Sequence, residues 1–189
     1  MSSKIPFLVP VFFITLMLLV SFNTQNNDSK VNWLTFEEAV EKSKLEKRKI
    51  IIDVYTDWCG YCKVMDRNTF NKDHIAEYLN SRFYPVKLNA EQTKIIQFRG
   101  YTFAYVNSRG RGYHQLAYAL LQGKLSYPTT VFLDENFNMI QPLPGYIKAD
   151  LFEKVLTYFG EDYFKTTKWN DFEKNYKSMI DRKSPITNY

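Results

Sequence analysis

Cys59 and Cys62 are the two cysteines of this 189-residue chain, set three positions apart in Trp58-Cys59-Gly60-Tyr61-Cys62. A small domain stapled by disulfides carries four, six or eight cysteines. A bond across so short a loop stabilises little, because the effect grows with loop length. The pair is therefore expected to react, cycling between dithiol and disulfide. The β-branched run Ile50 to Tyr55 predicts a buried strand ending just before it, and a helix is predicted to start at it. A cysteine at a helix start faces unpaired backbone N–H groups and the positive end of the helix dipole, which favour thiolate over thiol. Cys59 is thus the expected nucleophile, with a lowered pKa, and Cys62, one turn inside, the resolving cysteine. Three other uses stay open: a zinc site, soft-metal carriage and an inert structural bond. Zinc needs two more ligands, and His74 and His114 stand at no ligand-like spacing; no metal is assigned.

The elements that must position this pair can be read around it. Thr35-Phe-Glu-Glu38 has the form of a capping box opening a helix to about Lys47. Helices are predicted from Cys59 to about Asn68 and from Asp73 to Ser81, and a second inner strand from Phe83 to Asn89. Residues 92–112 are irregular and rich in Gly, Arg and aromatics, with Tyr101 to Val106 as a short strand. Tyr113 to Leu121 reads as a helix ended by Gly123. Thr129 to Leu133, a turn at Asp134 to Asn138 and Met139 to Leu143 make a hairpin. Helices close the chain at Ala149 to Phe159 and Lys168 to Ile180, the last with Trp169, Phe172, Tyr176 and Ile180 in a packing stripe. Strands alternating with helices give an α/β layered domain with a central mixed sheet flanked by helices.

With these elements in place, the chain resembles the thioredoxin superfamily, in particular exported bacterial thioredoxin-like proteins. The resemblance spans about Trp33 to Phe159 and rests on more than the cysteines. Asp53, six residues before Cys59, falls where the family keeps a buried carboxylate behind the resolving cysteine. Lys87 falls at that acid's lysine neighbour. Tyr127-Pro128-Thr129 precedes a strand as the family's cis-proline loop does, and Gly145 matches a further position. The resemblance implies that Asp53, desolvated and raised in pKa, takes a proton from Cys62, with Lys87 opposing that shift. It also implies that the Tyr127 backbone beside a cis Pro128 pairs with an extended substrate, and that Trp58 packs beside Cys59. Two features depart from thioredoxin. The Gly60-Tyr61 dipeptide is similar to that of periplasmic disulfide isomerases, and places Tyr61 at the substrate surface. The 92–112 insertion precedes the third core helix; its Arg99, Arg109 and Arg111 either shape a substrate surface or sit in solvent.

The implied activity is disulfide exchange on protein substrates, with reduction favoured, and oxidation, isomerisation or redox-inactive peptide binding as alternatives. It needs no metal or organic cofactor, but it needs a membrane or soluble redox partner to recycle the pair. Lys4 followed by the apolar stretch Ile5 to Phe22 and a polar exit has the layout of a secretory signal. The expectation is export, to the periplasm, with residues 5–22 either removed or kept as a membrane tether. The chain then divides into a leader and linker (1–30), the thioredoxin-like domain (31–160) and a C-terminal helical extension (161–189). A formal charge of +5, mixed in sign along the chain, does not make a nucleic-acid surface. The Lys44 to Lys49 run reads as a solvated helix end.

Overall fold

The computed structural model describes residues 30–108 and 110–180. In chain order the elements are α1 (Phe36–Leu45), β1 (Lys49–Tyr55), α2 (Gly60–Met65), α3 (Asp73–Arg82), β2 (Phe83–Asn89), β3 (Ile96–Phe98), β4 (Tyr101–Phe103), β5 (Tyr105–Val106), β6 (Tyr113–His114), α4 (Gln115–Leu120), β7 (Thr129–Leu133), β8 (Met139–Pro144), α5 (Ala149–Gly160) and α6 (Trp169–Asn175). A π-helical turn, Asp66–Phe70, continues α2. None of these helices is long and apolar enough to cross a membrane, and the leader lies outside the described residues.

The capping box forms as the sequence dictates. Glu38 N–H donates to Thr35 Oγ1 at 3.2 Å, and Thr35 N–H donates to Glu38 Oε2 at 2.8 Å. Losing the cap orphans donors at the start of α1, so Thr35→Ala is expected to cost about 1 kcal/mol. It should lower the urea midpoint without changing the m-value.

The sheet runs in the order β2-β1-β7-β8, with β1 parallel to β2 and antiparallel to β7. Alternation along β1 sorts its side chains between two layers. Ile50, Ile52 and Val54 join the core under α1 and α4, whereas Ile51 joins the core of α3, α5 and the π turn. Asp53 shares the parity of Ile51. It therefore faces the layer that carries α2, and so does Lys87, its direct partner across the ladder.

Several expectations need correction. Phe83–Asn89 is not an inner strand but the edge of the sheet, a position that suits the donorless Pro85. It reads as inner because both of its faces are buried, Phe83 in one core and Tyr84, Val86 and Leu88 in the other, while Leu34 lies along the edge, donating to the Pro85 carbonyl and accepting from Lys87 N–H. Tyr101 to Val106 is two strands. The first half folds back on Ile96–Phe98, and the second pairs forward with Tyr113–His114. The following helix consequently starts at Gln115 rather than Tyr113, capped by His114, whose Nδ1 accepts from Leu116 N–H. The last helix ends at Asn175. Phe172 of its stripe is buried against Tyr158 and Tyr163, but Ile180 is exposed. Beyond it, buried Glu153 gathers Tyr176 Oη, Ser178 Oγ and Met179 N–H onto α5, and these donors hold its carboxyl below the usual range against the effect of burial. Lys49 is buried and paired with Glu135 and Asp162, so the basic run does not stay solvated to its end.

Candidate active site

Cys59 is the N-cap of α2 and Cys62 lies in its first turn; the two are joined as a disulfide, with Cα atoms 5.3 Å apart. The Cys62 N–H donates to Cys59 Sγ at 3.1 Å. This is a helix-start donor aimed at that sulfur, and it would favour a thiolate there. Both side chains are buried, Cys59 at 5% exposure and Cys62 at 2%.

An ionic cluster occupies the same layer of the sheet. Asp53 is 1% exposed, and its Oδ2 accepts from Lys87 Nζ at 2.6 Å. Its Oδ1 is buried with no hydrogen-bond partner among the described residues. Burial pushes the Asp53 carboxyl up to about 6; the charge and hydrogen bond of Lys87 oppose the shift, and Asp66 adds to it. Burial alone would lower Lys87, but its two carboxylate partners win and hold its pKa above the ordinary lysine value. Lys87 also donates to Asp66 and lies over the rings of Trp33, Tyr55 and Phe70. Asp66 N–H in turn donates to the Cys62 carbonyl. The cluster thus connects the buried acid to a half-exposed carboxylate on the cysteine helix.

The remaining residues form the rim. The Tyr127–Pro128 peptide is cis, and Gly145 N–H donates to the Pro128 carbonyl at 2.7 Å. Gly145 has φ of 94°, a conformation that favours glycine. The Tyr127 backbone N–H and carbonyl have no partner among the described residues. Its phenol is pushed up to about 12, by burial first and the charge of Glu91 second. Trp58 is half exposed and meets Tyr127 edge to face at 5.9 Å between centroids. Tyr61 is exposed, 6.5 Å from Tyr146.

The sequence model of the thioredoxin-like domain matches residues 36–160. The chain belongs to this family. Among curated relatives, spermatogenesis-associated protein 20 of Rattus norvegicus is 28% identical over 90 residues, a stretch that is 47% of this chain and 11% of the rat protein. The chain therefore matches only a small part of that relative's length. Among solved structures, a thioredoxin-fold protein from Helicobacter pylori superposes with a TM-score of 0.53 at 22% identity, covering 68% of this chain and 79% of that one. A thioredoxin from Thermus thermophilus gives 0.51 at 18%, covering 69% and 87%. These structures share the thioredoxin fold.

Of the residues singled out in the sequence, Asp53 and Lys87 meet in the buried cluster, and Trp58 and Tyr127 meet at the rim. Arg99 does not reach the site. It donates to the Asn136 carbonyl and lies over Phe98 and Phe137. Arg109 lies outside the described residues. Arg111 does reach it, over the Trp58 ring. Two residues were missed, Asp66 and Glu91. The signal for Asp66 was its place one helical turn after Cys62, where an acid falls on the face of Cys62 itself. Glu91 carried no local signal, because its role depends on where the chain turns after β2.

Proposed function

We propose that this thioredoxin-like chain is an exported thiol–disulfide oxidoreductase that reduces protein disulfides. The observation that carries the reading is a cysteine pair, closed as a disulfide at a helix start, with a buried acid, one oxygen unpartnered, facing the same layer. In the dithiol form the Cys59 thiolate attacks a substrate disulfide. The substrate S–S bond breaks, a Cys59–substrate disulfide forms, and the first substrate sulfur leaves as a thiolate that takes a proton from water. Cys62 then loses its proton to Asp53 and attacks Cys59 Sγ. The second substrate sulfur leaves, and the Cys59–Cys62 bond closes. Two electrons pass from protein to substrate, so a dithiol donor, membrane-bound or soluble, must restore the pair. Lys87 positions Asp53, and with Asp66 it offers the proton a way to solvent. The free backbone groups of Tyr127, next to Pro128, hold an extended substrate segment, with the exposed rings of Trp58, before Cys59, and Tyr61, between the cysteines, offered to it.

The apolar leader, Ile5 to Phe22, supports a periplasmic setting. The Gly60-Tyr61 dipeptide favours a second reading as isomerase or oxidase, because residues between the cysteines influence the redox poise. The reduction potential of the pair, measured in glutathione buffers on the purified full chain, tests both. A reductase is expected near about −270 mV, and a value near about −120 to −180 mV would replace it with an oxidase or isomerase. A pair that does not cycle would leave a peptide-binding module.

A further inference from the structure

Trp58, the residue beside the nucleophile, is held from three directions. Its Nε1–H donates to Glu91 Oε1 at 2.9 Å, the Tyr127 ring meets it edge to face, and the Arg111 guanidinium carbon lies 4.2 Å from its ring centroid. Glu91 and Tyr127 belong to loops at the ends of sheet strands. Arg111 comes from the insertion, and a close approach fixes where it leaves the β5–β6 hairpin. A Cβ on the adjoining Gly112 would lie 2.2 Å from Tyr105 Oη and 2.5 Å from the Val106 carbonyl oxygen. The side chain could move, but the paired backbone of β5 could not, so only glycine lets the hairpin close here. Even so held, Trp58 is 52% exposed. A large aromatic surface, ordered in advance and open to solvent, is what a docking protein meets beside Cys59. Ordering it before binding removes a cost that would otherwise weaken the complex.

We propose that Arg111 is a positioning residue. By stacking on Trp58 it pre-organises the indole as the platform on which a protein substrate docks. The inference rests on the exchange reading above and narrows it, because it concerns affinity for protein substrates and leaves the sulfur chemistry alone. A small disulfide that reaches Cys59 without covering the indole gains nothing from the stack.

The test compares wild type, Arg111→Ala and Arg111→Lys in reducing insulin and cystine, with dithiothreitol as electron donor. Arg111→Ala is expected to raise the KM for insulin about two- to fivefold, the factor one exposed cation–π contact represents. Its kcat and its rate with cystine should match wild type. Arg111→Lys keeps the cation and should fall between the two. Acrylamide quenching of Trp58, isolated by subtracting the emission of Trp58→Phe, should increase in Arg111→Ala. An unchanged KM for insulin, unchanged quenching, or an equal fall in the cystine rate overturns the proposal. A wild type that reduces neither disulfide removes the exchange reading and this one with it. A working wild type that Arg111→Ala matches in every respect removes the role of Arg111 alone.

Discussion

Replacing Cys59 with serine is expected to reduce insulin reduction to the rate given by dithiothreitol alone. The thiolate is the nucleophile, and a serine hydroxyl at this position neither ionises near neutral pH nor forms a bond that exchange can break. Cys62→Ser is expected to fail differently. Cys59 keeps the Cys62-position backbone N–H that donates to its sulfur, so attack still occurs. Nothing then resolves the product, and a one-to-one mixed disulfide accumulates, visible as the summed mass on a non-reducing gel and lost on adding excess dithiothreitol. Serine at position 59 should give no such species. Should the adduct instead form through Cys62 in the Cys59→Ser variant, the roles of the two sulfurs would have to be exchanged.

Asp53→Asn is the second change with a large expected effect, and its sign depends on pH. The folded protein raises this carboxyl from 3.8 to about 6. Stability linked to its protonated form is therefore fully present below the unfolded pKa and is lost as pH rises through about 6. Above that pH the fold carries an ion it has desolvated. Asparagine fills the same space without the charge, and Lys87 keeps Asp66 as a partner. The variant is thus expected to be more stable than wild type by on the order of 3 kcal/mol at about pH 8, the gain fading as pH falls through about 6 and gone below about pH 4. Urea titrations of the oxidised protein across that range would measure it, with no thiol titrating. Equal or lower stability at the alkaline end would mean that the Lys87 ion pair outweighs burial. The same variant loses the proton acceptor for Cys62, so release of a preformed mixed disulfide at neutral pH should slow about 100-fold. Greater stability together with slower release would mark Asp53 as a residue kept for chemistry at the expense of the fold.

The central elements were legible because local and tertiary preferences agree in them. The Thr35–Glu38 box, the β-branched run at Ile50 and the Asp134 turn each depend on residues within a few positions of one another. Asp53 could be placed through the family resemblance, and the structure adds the reason it faces the cysteine helix: it alternates with Ile52 and Val54. The insertion was not legible. Its three short strands are fixed by pairings such as Tyr105 with His114 of β6 just beyond it, across a turn whose sequence favours no particular register. Lys49 misled for a related reason. Its partners, Glu135 and Asp162, are distant in sequence, and a lysine beside Arg48 at a helix end looks solvated until they are known. Arg111 and Glu91 converge on Trp58 in the same way, which is why the rim was harder to read than the cysteines it surrounds.

The two margins of the central sheet bear on how the protein behaves when concentrated. On one side Leu34 already engages the Pro85 carbonyl and the Lys87 N–H in the middle of β2, and Pro85 offers no donor. On the other, β8 carries Pro142 and Pro144, so a strand arriving from solvent would find donors missing at alternate positions. Neither margin is a template for a second copy. A folded population crowded at high concentration should therefore resist growing into fibres through this sheet, and what aggregation it shows should start from molecules that have opened first.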